Sequence, residues 1–312
     1  MRTLIDEISV LLGVSSLFLG DDISEKYYAD WSGADACAPV VLVKPNTTEQ
    51  LSQVMALCHK HDQSVVVQGG LTGLAGGATP LDGELAVSLE RMQGVEEIDP
   101  TAMTLTALAG TPLQVLQDAA NEHNLLLPLD LGARGSCQIG GNVSTNAGGT
   151  EVIRYGMTRS LVLGLEAVLA DGTVIDATNK MIKNNSGYDL KHLFIGSEGT
   201  LGIVTRVVLQ LQPKAGSSHT ALCGLNSYES ATQLLVELKR SLGSGLTGFE
   251  LMWDNYYNKV LETIADLTDP LEGAFPFYLL VEYKDNDVEL GSERFESALF
   301  KQLELGIIAD AV

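Results

Sequence analysis

The chain has 312 residues, room for one large or two ordinary domains with cores of their own. Its 40 Asp and Glu against 19 Lys and Arg give a net charge of −21, which excludes a large nucleic-acid interface and weakens docking to anionic lipid, because both need clustered cations. A composition 45% hydrophobic and 19% charged is that of a folded chain.

No run of about 18 apolar residues occurs, so no transmembrane segment is expected. Asp6 and Glu7 come too early for a secretory leader, and the expected compartment is the cytoplasm. Residues 1–38 read as an N-terminal helical segment. VVLVKP (40–45) reads as a buried strand, and residues 46–62 as a helix with Leu51, Val54, Met55 and Cys58 at the 3.6-residue period. Thr47 and Gln50 are placed there for a capping box. SVVVQ (64–68) is a second apolar strand, followed by strands in ELAVSLE (84–90) and TLTALAG (104–110). Thr111 as N-cap and Pro112 at the first helical position predict a helix through Asn124. LVLGLEAVLADGTVI (161–175) predicts two strands joined at Asp171-Gly172, and GTLGIVTRVVLQLQP a long closing strand. Residues 213–218 look like a linker. Beyond it, residues 215–312 carry 16 acids and 6 bases and alternate strand and helix afresh: strands at 219–225, 247–253 and 275–284, helices at 227–242, 255–265 and 293–305. GIIADAV at the end reads as the start of another strand, and the chain is expected to be an N-terminal fragment with this second domain truncated.

The four cysteines, Cys37, Cys58, Cys137 and Cys223, are far apart with no CxxC, so packed thiols are expected and no zinc cluster or disulfide framework. Glycine is more telling. Fourteen of the 32 glycines fall in three clusters, at 69–77, 132–149 and 196–202. The first follows a buried strand and has no charged residue; glycine there lets successive N–H groups converge on an anion, and a diphosphate is the natural guest. Its spacing fits neither GxGxxG nor GxxxxGK[ST], which disfavours nicotinamide-dinucleotide and Walker-type binding. The second cluster mixes glycine with small donors and offers few large apolar groups, as suits a segment wrapped on a flat polar cofactor.

QGGLTGLAGG (68–77), PLDLGARGSCQIGGNVSTNAGG (128–149) and NNSGYDLKHLFIGSEGTLGIVT (184–205) closely resemble signature segments of FAD-linked oxidoreductases of the vanillyl-alcohol oxidase and p-cresol methylhydroxylase type. Within that superfamily they look most like the branch of D-lactate, D-2-hydroxyglutarate and glycolate dehydrogenases. The resemblance implies an α+β fold: a two-part FAD-binding domain at 39–214 and a ferredoxin-like substrate or cap domain at 215–312, incomplete as it stands. It implies that Gln68, Gly69, Gly70, Leu71, Thr72, Gly73, Gly76 and Gly77 meet the pyrophosphate. A second wall would come from Pro128, Asp130, Ser136, Cys137, Ile139, Gly140 and Gly141, with Asn142, Ser144, Thr145, Asn146 and Gly149. Glu198, Gly199, Gly202, Ile203 and Val204 would close the site. Leu71 departs from the Asn often found there. Some relatives attach the flavin through a histidine of the first loop; residues 64–80 contain none, so non-covalent FAD is expected.

The activity so implied is oxidation of a D-2-hydroxy acid to the 2-oxo acid by hydride transfer to flavin N5, with an electron-transfer protein or a quinone as acceptor. A homodimer is left open. That chemistry needs a base and cations for the substrate carboxylate. His59 and His61 sit two apart and face different sides, so they cannot share a metal. His123 suits a helix end, and His192, His219 and Glu250 read as structural. Relatives carry an HxH-type metal site that nothing up to Val312 matches, so no catalytic residue is assigned, and a divalent metal such as zinc is expected only in a part beyond Val312. The chain as given is expected to bind FAD without turning hydroxy acids over at a useful rate. Alternatives are a flavin-binding electron-transfer subunit of a larger oxidase, or a related FAD oxidase for a phenol or sugar.

Overall fold

A computed structural model describes residues 2–312, in two compact units. The first holds the chain up to Ala147 together with Met157–Pro213, and the second holds Gly148–Gly156 and Lys214–Val312.

The first unit begins with α1 (Arg2–Leu12), whose Leu4, Ile8 and Leu12 repeat every fourth residue and are buried. The rest of the N-terminal segment is not helical as expected: glycines at 13, 20 and 33 with φ between 51° and 77° break it into single 3₁₀ turns and a short strand, β1 (Leu17–Phe18). β2 (Val41–Val43) follows, then α2 (Thr48–Lys60). Thr47 Oγ1 accepts from the Gln50 N–H as a capping box requires, but Gln50 Oε1 reaches back to the Asn46 N–H at 2.8 Å, one residue before the cap. β3 (Val65–Gln68) and β2 run parallel to β4 (Leu85–Ser88) between them, giving the sheet order β1-β2-β4-β3. Parallel strands are covered on both faces, hence the unbroken valine runs.

A second, antiparallel sheet is built from β5 (Val95–Asp99) and β6 (Thr104–Leu108), then later strands. Helix α3 (Leu113–Glu122) starts after Pro112 with no Thr111 cap. The Thr111 hydroxyl instead donates to Leu108 O at 2.6 Å and accepts from the Gly94 N–H at 2.8 Å, pinning the end of β6. β7 (Leu125–Leu126) leads to α4 (Ile139–Ser144), the short α5 (Val152–Tyr155) of the second unit, and α6 (Thr158–Leu161). β8 (Val162–Val168), β9 (Val174–Asp176), α7 (Lys191–Phe194), β10 (Ile203–Gln210) and β11 (Gln212–Pro213) complete the unit, with sheet order β5-β6-β10-β8-β9 and a separate β7-β11 pair. The Asp171-Gly172 hairpin forms as predicted. Only glycine fits its tip: φ is +87°, and a Cβ would stand 2.4 Å from Ser52 O.

The second unit runs β12 (Ser217–Leu225), α8 (Tyr228–Leu242), β13 (Leu246–Trp253), α9 (Asp254–Thr263), β14 (Phe277–Asp285), α10 (Val288–Glu304) and β15 (Asp310–Ala311). The order β15-β12-β14-β13, all antiparallel, is that of a ferredoxin-like βαββαβ unit with α9 inserted. α8 and α10 bury Leu234, Leu238, Phe295 and Leu299 on the face formed by Cys223, Leu225, Leu279 and Val281. α10 starts five residues before the predicted 293 because Asp287 Oδ1 accepts from the N–H groups of Glu289 and Leu290.

Candidate cofactor site

The three glycine clusters meet at one cleft of about 580 Å³ in the first unit. The chain leaves β3 at Gln68 and crosses directly beneath the second cluster. A Cβ at Gly70 would lie 2.1 Å from Ser136 O and 2.8 Å from Cys137 Cα, so the two segments can touch only through glycine. Leu71 has φ +57°, a conformation in which Asn is at ease and Leu is strained by about 1–2 kcal/mol. Its half-buried side chain packs against the buried cluster of Ile23, Tyr27, Leu42, Val66 and Ala86, and partial burial, worth about 1 kcal/mol, offsets strain of that size.

Of the first cluster, Gly69, Gly70, Leu71, Thr72, Gly73 and Gly77 line the cleft. From the second, Cys137, Gly140, Gly141, Asn142, Ser144 and Thr145 line it, and Glu198, Gly199, Ile203 and Val204 complete the wall. The other expected residues stand behind the surface or away from it. Gln68 is buried and its Nε2 donates to Tyr27 O and Ala78 O, fastening the loop from behind. Gly76 turns away at φ +82° toward Ser32. Pro128 and Ile139 are buried, Ile139 in the main core. Asp130 pairs with Arg134 and Ser136 is exposed. Asn146 Oδ1 accepts from the Arg159 N–H, and Gly202 packs on Val168 and Phe194. Gly149 belongs to the second unit, because the chain leaves the first after Ala147. The second cluster is also less of a loose wrap than predicted: Ile139, Gly140, Asn142 and Val143 are buried on α4, and a Cβ at Gly140 would sit 2.6 Å from Ala109 Cβ.

The cleft carries polar groups with nothing to bond. Among the described residues, the N–H groups of half-buried Gly69, Gly70, Leu71 and Thr72 donate to no acceptor. Buried Gln138 Oε1 and Asn142 Oδ1 are unpartnered as well. Unpaired buried groups are rare because each costs about 1–3 kcal/mol. Free amide donors along the first loop fit a cofactor with an anionic part, as FAD has, whereas Gln138 Oε1 and Asn142 Oδ1 are shut off from solvent, Gln138 Oε1 against Gly69. The lining includes no Lys or Arg, so backbone amides are what an anion would meet. Burial pushes the Cys137 thiol upward, which keeps it protonated at neutral pH.

Sequence reasoning missed Asp30, which lines the same cleft. Its carboxylate accepts from the Ser32 N–H at 3.0 Å, the Ala78 N–H at 3.4 Å and the Thr79 hydroxyl at 3.3 Å. Burial alone would raise it, but the bonds from Ser32, Ala78 and Thr79 outweigh that and hold it below the usual carboxylate range. Asp30 thus moors the far end of the first glycine loop. The segment bearing it is tied down in turn: Glu90 accepts from Tyr27 OH, Lys26 and Lys44. The only sequence cue was Asp-x-Ser, an Asx-turn pattern.

The declined candidates sit elsewhere in structural roles. His61 Nε2 lies 3.0 Å from Glu7, and His192 O accepts from Arg159 Nη1 at 2.8 Å. His219 is stacked on Tyr283. Among the described residues, no three His, Cys, Asp or Glu gather to hold a metal ion, and no helix is long and apolar enough to cross a membrane.

The FAD binding domain profile matches residues 39–178, and that of the C-terminal domain of FAD linked oxidases matches residues 214–312. The mitochondrial D-2-hydroxyglutarate dehydrogenase of Arabidopsis thaliana is 40% identical over 302 residues, 97% of this chain and 54% of the relative. That of Bos taurus is 39% identical over 281 residues, 90% of this chain and 51% of the relative. The chain spans about half the length of the curated relatives it matches. The solved structure of p-cresol methylhydroxylase with substrate bound shares its fold, with a TM-score of 0.79 at 16% identity over 100% of this chain and 65% of that one. The naming of these relatives as mitochondrial overturns the cytoplasmic expectation. That expectation rested on the lack of an apolar leader, which bears on secretion and says nothing of import into an organelle. Both domain profiles occur in order on a chain whose glycine loops converge on one cleft, and the chain combines an FAD binding domain with the C-terminal domain of the FAD linked oxidases.

Proposed function

We propose that the chain serves the FAD-dependent oxidation of a D-2-hydroxy acid to its 2-oxo acid. The observation that carries the reading is the cleft, with unpaired amides along its first glycine loop, in a chain 40% identical to a D-2-hydroxyglutarate dehydrogenase. FAD, when bound, supplies a hydride acceptor at its N5.

The chain's own residues hold and shield. The amides of Gly69 to Thr72 receive the diphosphate, with Asp30 and Gln68 fixing the loop that presents them. Gly140, Gly141 and Cys137 keep the second wall thin enough for close approach of the cofactor. No histidine of the first loop is at hand for attachment, so the cofactor is held non-covalently. No base is assigned for the hydroxyl proton, and without one a rate about 10²–10⁴-fold below that of an equipped site is expected.

The test is anaerobic mixing of the FAD-loaded protein with the D and L forms of 2-hydroxyglutarate and lactate, following flavin absorbance. Bleaching that favours a D enantiomer, even if slow, supports the reading. Bleaching by neither, or preference for L, overturns it.

A further inference from the structure

We propose that Arg154, on α5 of the second unit, is a carboxylate-binding residue. The inference rests on the hydroxy-acid reading for the identity of the anion. Four arginines of the chain are half-buried: Arg91, Arg154, Arg159 and Arg206. Arg91 donates to Ser16 and Ser15 O, Arg159 to His192 O, and Arg206 to Glu96. Arg154 alone among them has no side-chain hydrogen bond and no ion pair among the described residues, and its Nη1 is shut off from solvent.

Its natural counter-ion is one helical turn away and is taken. Glu151 is buried, and its Oε1 accepts from Lys284 Nζ on β14. Lys284 neutralises Glu151, and the guanidinium, lying 4.8 Å from the centre of the Tyr155 ring, keeps its charge uncancelled. A half-buried cation without a partner is unfavourable in any chain. It is conspicuous here, where acids outnumber bases 40 to 19 and could have supplied a partner. The planar fork of an arginine, already resting on an aromatic face, is matched to a carboxylate, and with Nη1 shut off from solvent the edge left for two parallel bonds is that of Nε and Nη2. Reading the sequence for cations found none committed to substrate, because Arg154 looks like any other charged residue until Lys284 is seen to occupy Glu151.

The experiment is isothermal titration of the FAD-loaded protein with oxalate, an unreactive carboxylate, and separately with inorganic phosphate, for wild type, Arg154→Gln and Arg154→Lys. Wild type binds oxalate saturably and more tightly than phosphate. Arg154→Gln raises the oxalate Kd by about 10- to 100-fold with flavin content unchanged. Arg154→Lys keeps the charge, loses the fork and falls between them, a result that holds even if the Gln variant folds poorly. An oxalate Kd unaffected by either substitution, no saturable oxalate binding in wild type, or tighter binding of phosphate than of oxalate overturns the assignment. If Arg154 governs oxalate binding while no hydroxy acid bleaches the flavin, the activity reading fails and this one stands; equal bleaching in wild type and both variants with an unchanged oxalate Kd does the reverse.

Discussion

Gly141→Val separates the cofactor role of the second glycine cluster from its role in folding. A Cβ built at Gly141 meets no atom within 4 Å, whereas its neighbour Gly140 is backed by Ala109. Gly141 lies on α4, where Val is a better helix former than Gly by about 0.3–0.5 kcal/mol, so folding stability should change by less than about 1 kcal/mol. The isopropyl group would stand in the cleft, on a wall whose opposite side is close: a Cβ at Gly69 would be 3.9 Å from Gly141 Cα. Overpacking a deformable core costs about 1–3 kcal/mol, and a rigid flavin cannot repack to relieve it. At 1.4 kcal/mol per decade, the FAD Kd should rise by about 10-fold to 100-fold or more. Titration of apoprotein with FAD by fluorescence quenching, beside circular-dichroism melts, reads both quantities. An unchanged Kd in a folded variant would refute the placement of the cofactor against Gly141.

Gly140→Ala should do the opposite, lowering the melting temperature through the 2.6 Å clash with Ala109 before it touches flavin affinity; a melt identical to wild type would show that α4 yields. Asp30→Asn places an amide donor against the Ala78 N–H, and should weaken FAD binding about 5- to 10-fold by loosening the first loop; unaltered affinity would reduce Asp30 to a bystander. Burial works to raise the Glu90 carboxyl, but bonds from Lys44, Tyr27 and Lys26 prevail and bring it to about 2, below its ordinary 4.5. Its contribution is therefore full above about pH 4.5 and fades as pH falls toward 2. The shift is worth up to about 3 kcal/mol at full burial and about 1–2 for a side chain 30% exposed. Glu90→Gln should flatten the acid limb of the stability curve, and an equally steep limb in the variant would contradict this.

What was legible in the sequence was local. Glycine at 70 and at 172 is demanded by backbones that approach within van der Waals distance, and such demands leave clusters and turns that can be read without a structure. The apolar runs of β2 and β3 likewise declared strands, while their parallel pairing with β4 came only from the structure. What was not legible depends on partners far along the chain. Asp30 acquires its role from Ala78 and Thr79, 48 and 49 residues on, and Arg154 from the pairing of Glu151 with Lys284 across 133 residues. Gly149 sits in a signature segment, yet its segment packs with the second unit, a matter of tertiary contact alone. Thr111 had the right neighbour for a cap but a stronger use at Gly94 and Leu108, where β6 ends.

The central claim is that the cleft between the three glycine clusters holds FAD without a covalent bond. Acid precipitation of the purified, yellow protein tests it directly. With FAD held non-covalently, the supernatant carries FAD in an amount equimolar with the protein and the pellet is colourless. Colour that stays in the pellet, or a folded protein that takes up no FAD, would contradict it.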